Sequence, residues 1–232
     1  MKFAKKMTCA LTLSVMTLLP VVSGQVFAAP LAASAQKATT SLVQQLSGLQ
    51  RFTADFEQTT KVATNNKPVQ KKGLTGQHMN QTFKGSMKVE RPGKFYWETT
   101  SPAKQTIVTT GKEVWIYDPD LQQAVRQSLD DQVANTPALL LSGNTNQIMQ
   151  SYRVTQPDRT KLYFTLFPKQ QDGAFQSLTI SFGANKAPNL MILQDSLGQT
   201  TYVRFSNIKV NAAIPASVFK FEPPKGTDII DQ

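Results

Sequence analysis

From position 82 onward the chain alternates apolar and polar residues with a period of two, and most of these stretches stop at Gly, Pro, Asn or Asp. Phe83, Gly85, Met87 and Val89 share one face, with Lys84, Ser86, Lys88 and Glu90 opposite, because successive side chains of a strand point to opposite sides. The same reading predicts strands over 105–109, 113–118, 123–127, 152–155, 161–167, 175–183, 189–195 and 200–210. Gly111-Lys112 forms a short hairpin turn between two of them. In 113–118 both faces are apolar, Val114 and Ile116 on one and Trp115 and Tyr117 on the other, so that strand is predicted to be covered on both sides. Leu178, Ile180 and Phe182 against Ser177, Thr179 and Ser181 predict one dry face and one wet face.

The period changes in two places. Ala38, Leu42, Val43, Leu46 and Leu49 recur at helical spacing, which predicts an amphipathic helix over 36–47. Phe52, Ala54 and Phe56 then alternate with Thr53, Asp55 and Glu57, so a first strand begins directly after it. In the middle, Thr136 as N-cap, Pro137, Ala138, Leu139, Leu140 and Leu141, with Ser142-Gly143 as the stop, describe a short and very apolar helix. A further helical turn is expected over 146–150. The sum is about eleven strands and two or three short helices without βαβ units, which indicates a mainly β (α+β) protein, an antiparallel sheet or half-open barrel with helices on one side.

One connection stands apart. Arg91-Pro92-Gly93 joins two of the strands, and Pro92 followed by Gly93 suits the central positions of a type II turn. Arg91 therefore sits at a strand end, at the rim of a face that carries Phe95 and Trp97.

Composition narrows the functional classes. Lys2, Lys5 and Lys6, the uncharged stretch 7–22 and Val26-Phe27-Ala28 fit an export signal cleaved after Ala28, with Ala35 as the alternative site. The apolar run is too short and interrupted for a secure membrane span of roughly 20 residues. Residues 1–28 are thus a leader and 29–232 a single exported, soluble domain. The one cysteine, Cys9, lies in the leader, so disulfides, thiolate catalysis and Cys-ligated metals are excluded from the exported chain. The excess of 25 basic over 15 acidic residues is moderate and scattered. Its densest cluster, Lys67, Lys71 and Lys72, has no interleaved aromatics, unlike a nucleic-acid groove.

Enzymatic chemistry finds little support. His78 is the only histidine, and no nucleophile elbow, phosphate loop, dinucleotide fingerprint or zinc spacing accompanies it. Asp55 with Glu57, Asp118 with Asp120, and Asp130 with Asp131 are the carboxylate pairs. Each has a structural reason: a solvated strand face, a turn former and a polar approach to a helix. No metal or cofactor is expected. What the chain does supply is a dry sheet face with apolar helices near it. This fits either helices that plug a core or helices that cover a cavity for a hydrophobic ligand, and pattern alone leaves the two open.

Five motifs in order resemble a known family: Phe52-Thr-Ala-Asp-Phe56-Glu-Gln58, Arg91-Pro-Gly-Lys-Phe95-Tyr-Trp97, Gly111-Lys-Glu-Val-Trp115-Ile-Tyr117-Asp-Pro119, Asn135-Thr-Pro137 before the leucines, and Phe219-Lys-Phe221-Glu-Pro223-Pro-Lys-Gly226. Together they are similar to the periplasmic outer-membrane lipoprotein carrier (LolA) family. The resemblance implies a half-open antiparallel barrel with a helical lid over an apolar cavity, in a non-enzymatic, monomeric chaperone of the Gram-negative periplasm. It implies lipoprotein acyl chains as ligand, an inner-membrane lipoprotein-releasing ABC transporter as donor and an outer-membrane lipoprotein acceptor as recipient. A sensor or carrier of another lipid on the same half-barrel is the alternative. Arg91 is implied as a latch that hydrogen-bonds the lid. Phe95 lies beside it, Trp97 shares its face, and Phe56, Met87 and Val89 extend the lining. Pro137, Leu139, Leu140 and Leu141 match a lid helix, and Leu42 and Leu46 are lid contacts of the first helix. The basic segment 61–81 is longer than the family pattern suggests.

Overall fold

The computed structural model describes residues 29–62, 81–110, 112–128, 137–143, 145–170 and 175–232. The leader with Cys9, the basic stretch with His78, and Asp130, Asp131, Asn135 and Thr136 lie outside the described residues. In chain order the elements are helix α1 (Ala29–Ser47), strands β1 (Arg51–Val62), β2 (Thr82–Glu90), β3 (Lys94–Ser101), β4 (Gln105–Thr110), β5 (Glu113–Asp118) and β6 (Gln123–Ser128), and a 3-10 turn (Pro137–Leu141). Helix α2 (Thr145–Ser151) follows, then β7 (Tyr152–Thr155), β8 (Tyr163–Pro168), β9 (Phe175–Phe182), β10 (Pro188–Asp195) and β11 (Gln199–Val210). A second 3-10 turn (Ala216–Phe219) leads to β12 (Asp228–Asp231).

Among the described residues the twelve strands form one sheet in the order β12-β6-β5-β4-β3-β2-β1-β11-β10-β9-β8-β7. Its two edges do not meet, so the barrel stays half open. Neighbouring strands are antiparallel except at one edge, where β12 runs parallel to β6. Sequence pattern indicated about eleven strands; β12 is the addition. Asp228-Ile229-Ile230-Asp231 is too short to show a period by itself and becomes a strand because β6 offers it an unpaired edge.

Helix α1 starts at Ala29 rather than at Gln36, where the apolar stripe begins. The alanines of the preceding segment favour helix without needing a partner to bury against. The apolar segment at Pro137 coils as a 3-10 turn in place of an α-helix, ending where Ser142 N–H and Ser142 Oγ both donate to the carbonyl of Leu139. The Arg91-Pro92-Gly93 connection has Gly93 at φ 78, as the turn reading requires, but its Arg91–Pro92 peptide is cis, which departs from a type II turn.

The concave face of the sheet is covered, and the convex face is covered over β3 to β5. On the concave face Phe52, Phe56, Met87, Val89, Phe95, Phe164, Leu166, Leu178 and Ile180 are buried in one cluster with Leu42 and Leu46 of α1, Leu139 to Leu141 and Ile148 of α2. On the convex face the segment after β11 crosses the outer surface of β3 to β5. Phe221 packs 5.5 Å from the rings of both Trp115 and Tyr117, which gives β5 the double cover its two apolar faces predicted. The face of β9 expected to be wet is drier than its pattern suggests, because Thr179 is buried and shares a 3.0 Å hydroxyl contact with Thr165.

Candidate ligand-binding face and its cover

The concave face is built by register. Phe95 lies opposite Val89, Trp97 opposite Met87, and Phe56 opposite both Gly85 and Phe205. These pairings bring the inward residues of β1, β2, β3 and β11 into one apolar patch. Phe56 stacks on Trp97 with centroids 3.7 Å apart, and Phe95 continues the row at 6.2 Å. Gly85 makes that stack possible. A Cβ on Gly85 would sit 1.8 Å from the Glu98 carbonyl oxygen and 2.8 Å from the Phe56 ring, so only glycine lets the ring lie across β2.

The cover meets this patch with leucines. Leu42, Leu46, Leu139, Leu140 and Leu141 are each at most 2% exposed. The side chains of the cover fill the concave face, and the expected cavity is occupied by the protein itself in this conformation. Pro137 heads the 3-10 turn, although its side chain lies outside the described residues.

Arg91 connects sheet and cover. Its Nη1 donates to the Gly143 carbonyl at 2.8 Å and its Nη2 to that of Leu140 at 3.4 Å. Gly93 N–H adds a bond to the Ser142 carbonyl at 2.8 Å, so the end of the 3-10 turn is held through three carbonyls that no continuing helix would satisfy. The main-chain N–H of Arg91 donates to Gln50, at the corner where α1 enters β1. One residue therefore touches the exits of both parts of the cover. Thr109 steadies the other end of the 91–93 connection: its hydroxyl donates to Gly93 O at 2.6 Å and accepts from Phe95 N–H at 2.8 Å.

The electrostatics make this contact weak for its size. Arg91 meets neutral carbonyls there, and its Nε is buried without a hydrogen-bond partner. Burial pushes its guanidinium down to about 10, so it remains protonated at neutral pH. A buried charge with only partial satisfaction recovers little of its desolvation cost.

The structure brings Arg91, Phe95, Trp97, Phe56, Met87, Val89, Leu42, Leu46 and Leu139 to Leu141 together at this one site. It also shows partners that sequence reading did not single out. Phe164, Leu166 and Phe205 belong to the same cluster, and strict alternation within their strands would have found them. The carbonyls of Leu140 and Gly143, the Gly93 N–H and Thr109 carry no sequence signal, since main-chain groups are present everywhere. The carboxylates lie elsewhere. Asp55 accepts from Asn207 at 2.7 Å, Glu57 pairs with Lys84 at 3.4 Å, and Asp118 accepts two main-chain N–H groups of its own turn. Among the described residues no three His, Cys, Asp or Glu cluster as metal ligands, and no helix is long and apolar enough to cross a membrane.

An open antiparallel half-barrel whose apolar concave face lies under a short helical cover defines a structural class. A solved protein from Thermus thermophilus, described as an uncharacterized conserved protein, shares this fold with a TM-score of 0.50 at 14% identity, covering 86% of this chain and 99% of that one. Residues 47–222 match the family model described as outer membrane lipoprotein carrier protein LolA. The chain is 43% identical over 192 residues to an outer-membrane lipoprotein carrier protein of Pseudomonas fluorescens, covering 82% of this chain and 87% of that one. Its identity to the protein of the same description in Hahella chejuensis is 42% over 209 residues, covering 87% and 94%. The chain belongs to the outer-membrane lipoprotein carrier protein LolA family.

Proposed function

We propose that this chain is a non-enzymatic carrier that holds the acyl chains of lipoproteins on its concave face while they cross the periplasm. Residues 1–28 act as a cleaved export signal and 29–232 as one monomeric carrier domain. Cargo is received from an inner-membrane lipoprotein-releasing ABC transporter and handed to an outer-membrane acceptor. The observation that carries this reading is the leucine cover, fastened to an otherwise continuous apolar face by an arginine that meets only main-chain carbonyls.

The physical need is plain. Burial of an acyl chain is worth about 0.8 kcal/mol per CH₂, so a lipid anchor of several long chains is insoluble by tens of kcal/mol. A carrier that recovered all of this would never let go, since non-covalent affinity saturates near roughly 20 kcal/mol. A face filled by the protein's own leucines solves both halves of the problem. In the loaded state acyl chains replace Leu42, Leu46 and Leu139 to Leu141 against Phe56, Met87, Val89, Phe95 and Trp97. In the empty state the leucines return, and that return offsets part of the cost of release.

Native mass spectrometry of the protein isolated from a bacterial envelope extract tests this. Bound lipidated protein is the expected result. Free phospholipid or fatty acid as the only ligand would redirect the reading to a carrier of another lipid.

A further inference from the structure

A cleft of about 550 Å³ runs between the last two turns of α1 and the 183–187 turn that joins β9 to β10. Its floor is formed by Leu49, Leu162 and Val210, which belong to or pack against the concave cluster. The apolar interior therefore reaches the surface here. Its rim carries the carboxamides of Gln44, Gln45 and Asn185 together with Lys186. One side-chain hydrogen bond, from Gln45 Nε2 to the Lys186 carbonyl, spans it. The end of the cleft nearest β1 is pinned: Asn211 Oδ1 accepts from the N–H groups of Gln50 and Arg51 at 3.1 and 3.3 Å, and Asn211 Nδ2 reaches Gly48 O at 3.4 Å.

A lipoprotein joins an apolar anchor to a polypeptide, and the two parts make opposite demands. The anchor wants the dry face. The polypeptide brings an N–H and a carbonyl with each residue, and these cannot remain under leucines without partners. It must leave the cover at a rim that borders the apolar interior and offers both donors and acceptors. The Arg91 rim is closed by three hydrogen bonds to the 3-10 turn. The cleft presents carboxamides, and each of these has an acceptor oxygen and a two-donor nitrogen that match a main chain of any sequence.

We infer that the cleft between α1 and the 183–187 turn is the portal through which the polypeptide of a bound lipoprotein leaves the carrier, with Gln45 bridging it in the empty state. The inference rests on the carrier reading above and adds to it a place and a chemistry: acyl chains under the cover, and the first peptide units after the acylated residue along the amide rim. Asn211 fixes the corner about which α1 pivots, so opening at Gln45 leaves the α1–β1 junction in place.

The probe is a tripalmitoylated S-glycerylcysteine hexapeptide mixed with the purified protein carrying p-benzoylphenylalanine at Gln44 or, as a control, at Lys88 on the convex face. Light is expected to join the position-44 protein to the peptide part of the probe and to leave the position-88 protein unjoined. Native mass spectrometry of the same samples reports binding separately. Binding without a crosslink at position 44, or a crosslink to the acyl chains alone, overturns the portal while leaving the carrier reading intact. Absence of binding overturns both. Gln45→Ala is expected to speed uptake of the lipopeptide about fivefold, the factor for one ordinary hydrogen bond, and to lower the thermal midpoint by no more than about 4 °C; an unchanged uptake rate removes Gln45 from the role.

Discussion

The two covers of the sheet bury similar kinds of side chain and are fastened in opposite ways. On the concave face, leucines of α1 and the 3-10 turn press on Phe56, Phe95 and Trp97, and the fastening at the edges is a guanidinium, a few main-chain N–H groups and the side-chain amides of Gln45 and Asn211. On the convex face, Phe219 and Phe221 press on the outer side of β3 to β5. That segment then ends in a strand whose four residues pair with β6, flanked by Asp228 N–H to Gln122 and Gln232 N–H to Arg126. Apolar area provides adhesion in both cases, but adhesion has no direction. The edges differ: one is a strand ladder, whose bonds break together, and the other is a set of separate bonds.

The largest test of this contrast places a charge beneath the detachable cover. Phe95 is wholly buried, and Phe95→Glu is expected to cost at least about 4 kcal/mol in urea unfolding and to abolish lipopeptide binding. A variant of near-native stability would mean that water already enters this face. Gly85→Ala comes next. The added methyl meets a backbone carbonyl, so an overpacking cost of about 2–3 kcal/mol is expected, together with loss of the near-ultraviolet signal of the Phe56–Trp97 stack.

Phe221→Ala probes the fixed cover. Phe221 is only half buried, so about 2 kcal/mol is expected, less than the roughly 3–5 kcal/mol for loss of a fully buried aromatic, with the rate of lipopeptide exchange unchanged. Altered exchange would show that the two faces communicate. Arg91→Leu should do the reverse. Removing a poorly satisfied buried charge is expected to change global stability by less than about 1 kcal/mol, while amide exchange at Ser142 and Gly143 accelerates about tenfold. Cargo is still accepted by this variant but is retained when an acceptor is offered. Normal delivery by Arg91→Leu would sink the latch.

The smallest effect concerns the end of the fixed cover and depends on pH. The hydrogen bond from Arg126, and then its charge, hold the Asp231 carboxyl below its ordinary range. A carboxyl depressed in the folded state contributes fully above about pH 4 and loses its contribution as pH falls through the depressed value. Backbone ¹⁵N relaxation of Ile229 and Ile230 should therefore report fraying of β12 only below about pH 4. Asp231→Asn should leave β12 frayed at every pH and so remove the pH dependence; a pH dependence that persists in that variant would assign it to another group.

Much of this was legible in the residues. Period-two alternation placed most of the strands and assigned Met87, Val89, Phe95 and Trp97 to one face, since a strand that buries one side must repeat every second residue. The apolar stripe at Ala38, Leu42, Leu46 and Leu49 located the helix, and the two-sided pattern of Val114 to Tyr117 required a second cover before any partner was known. Arg91 drew attention through its place at a strand end beside aromatics. Its role came from resemblance, because nothing local names an acceptor 49 or 52 residues away.

Three things were decided only in the folded molecule. The strand at Asp228 exists because β6 has a free edge, and four residues cannot state a preference strong enough to form alone. The ties between the apolar 3-10 turn and the sheet are another, because they run to main-chain carbonyls at Leu140, Ser142 and Gly143, which every sequence has and no sequence marks. The occupant of the empty face, a set of leucines from the chain itself, follows from the sheet's curvature and from register between strands far apart in the chain, such as Phe56 against Phe205. Side-chain pattern fixes which surface must be hidden; tertiary contacts decide what hides it and how easily that cover is withdrawn.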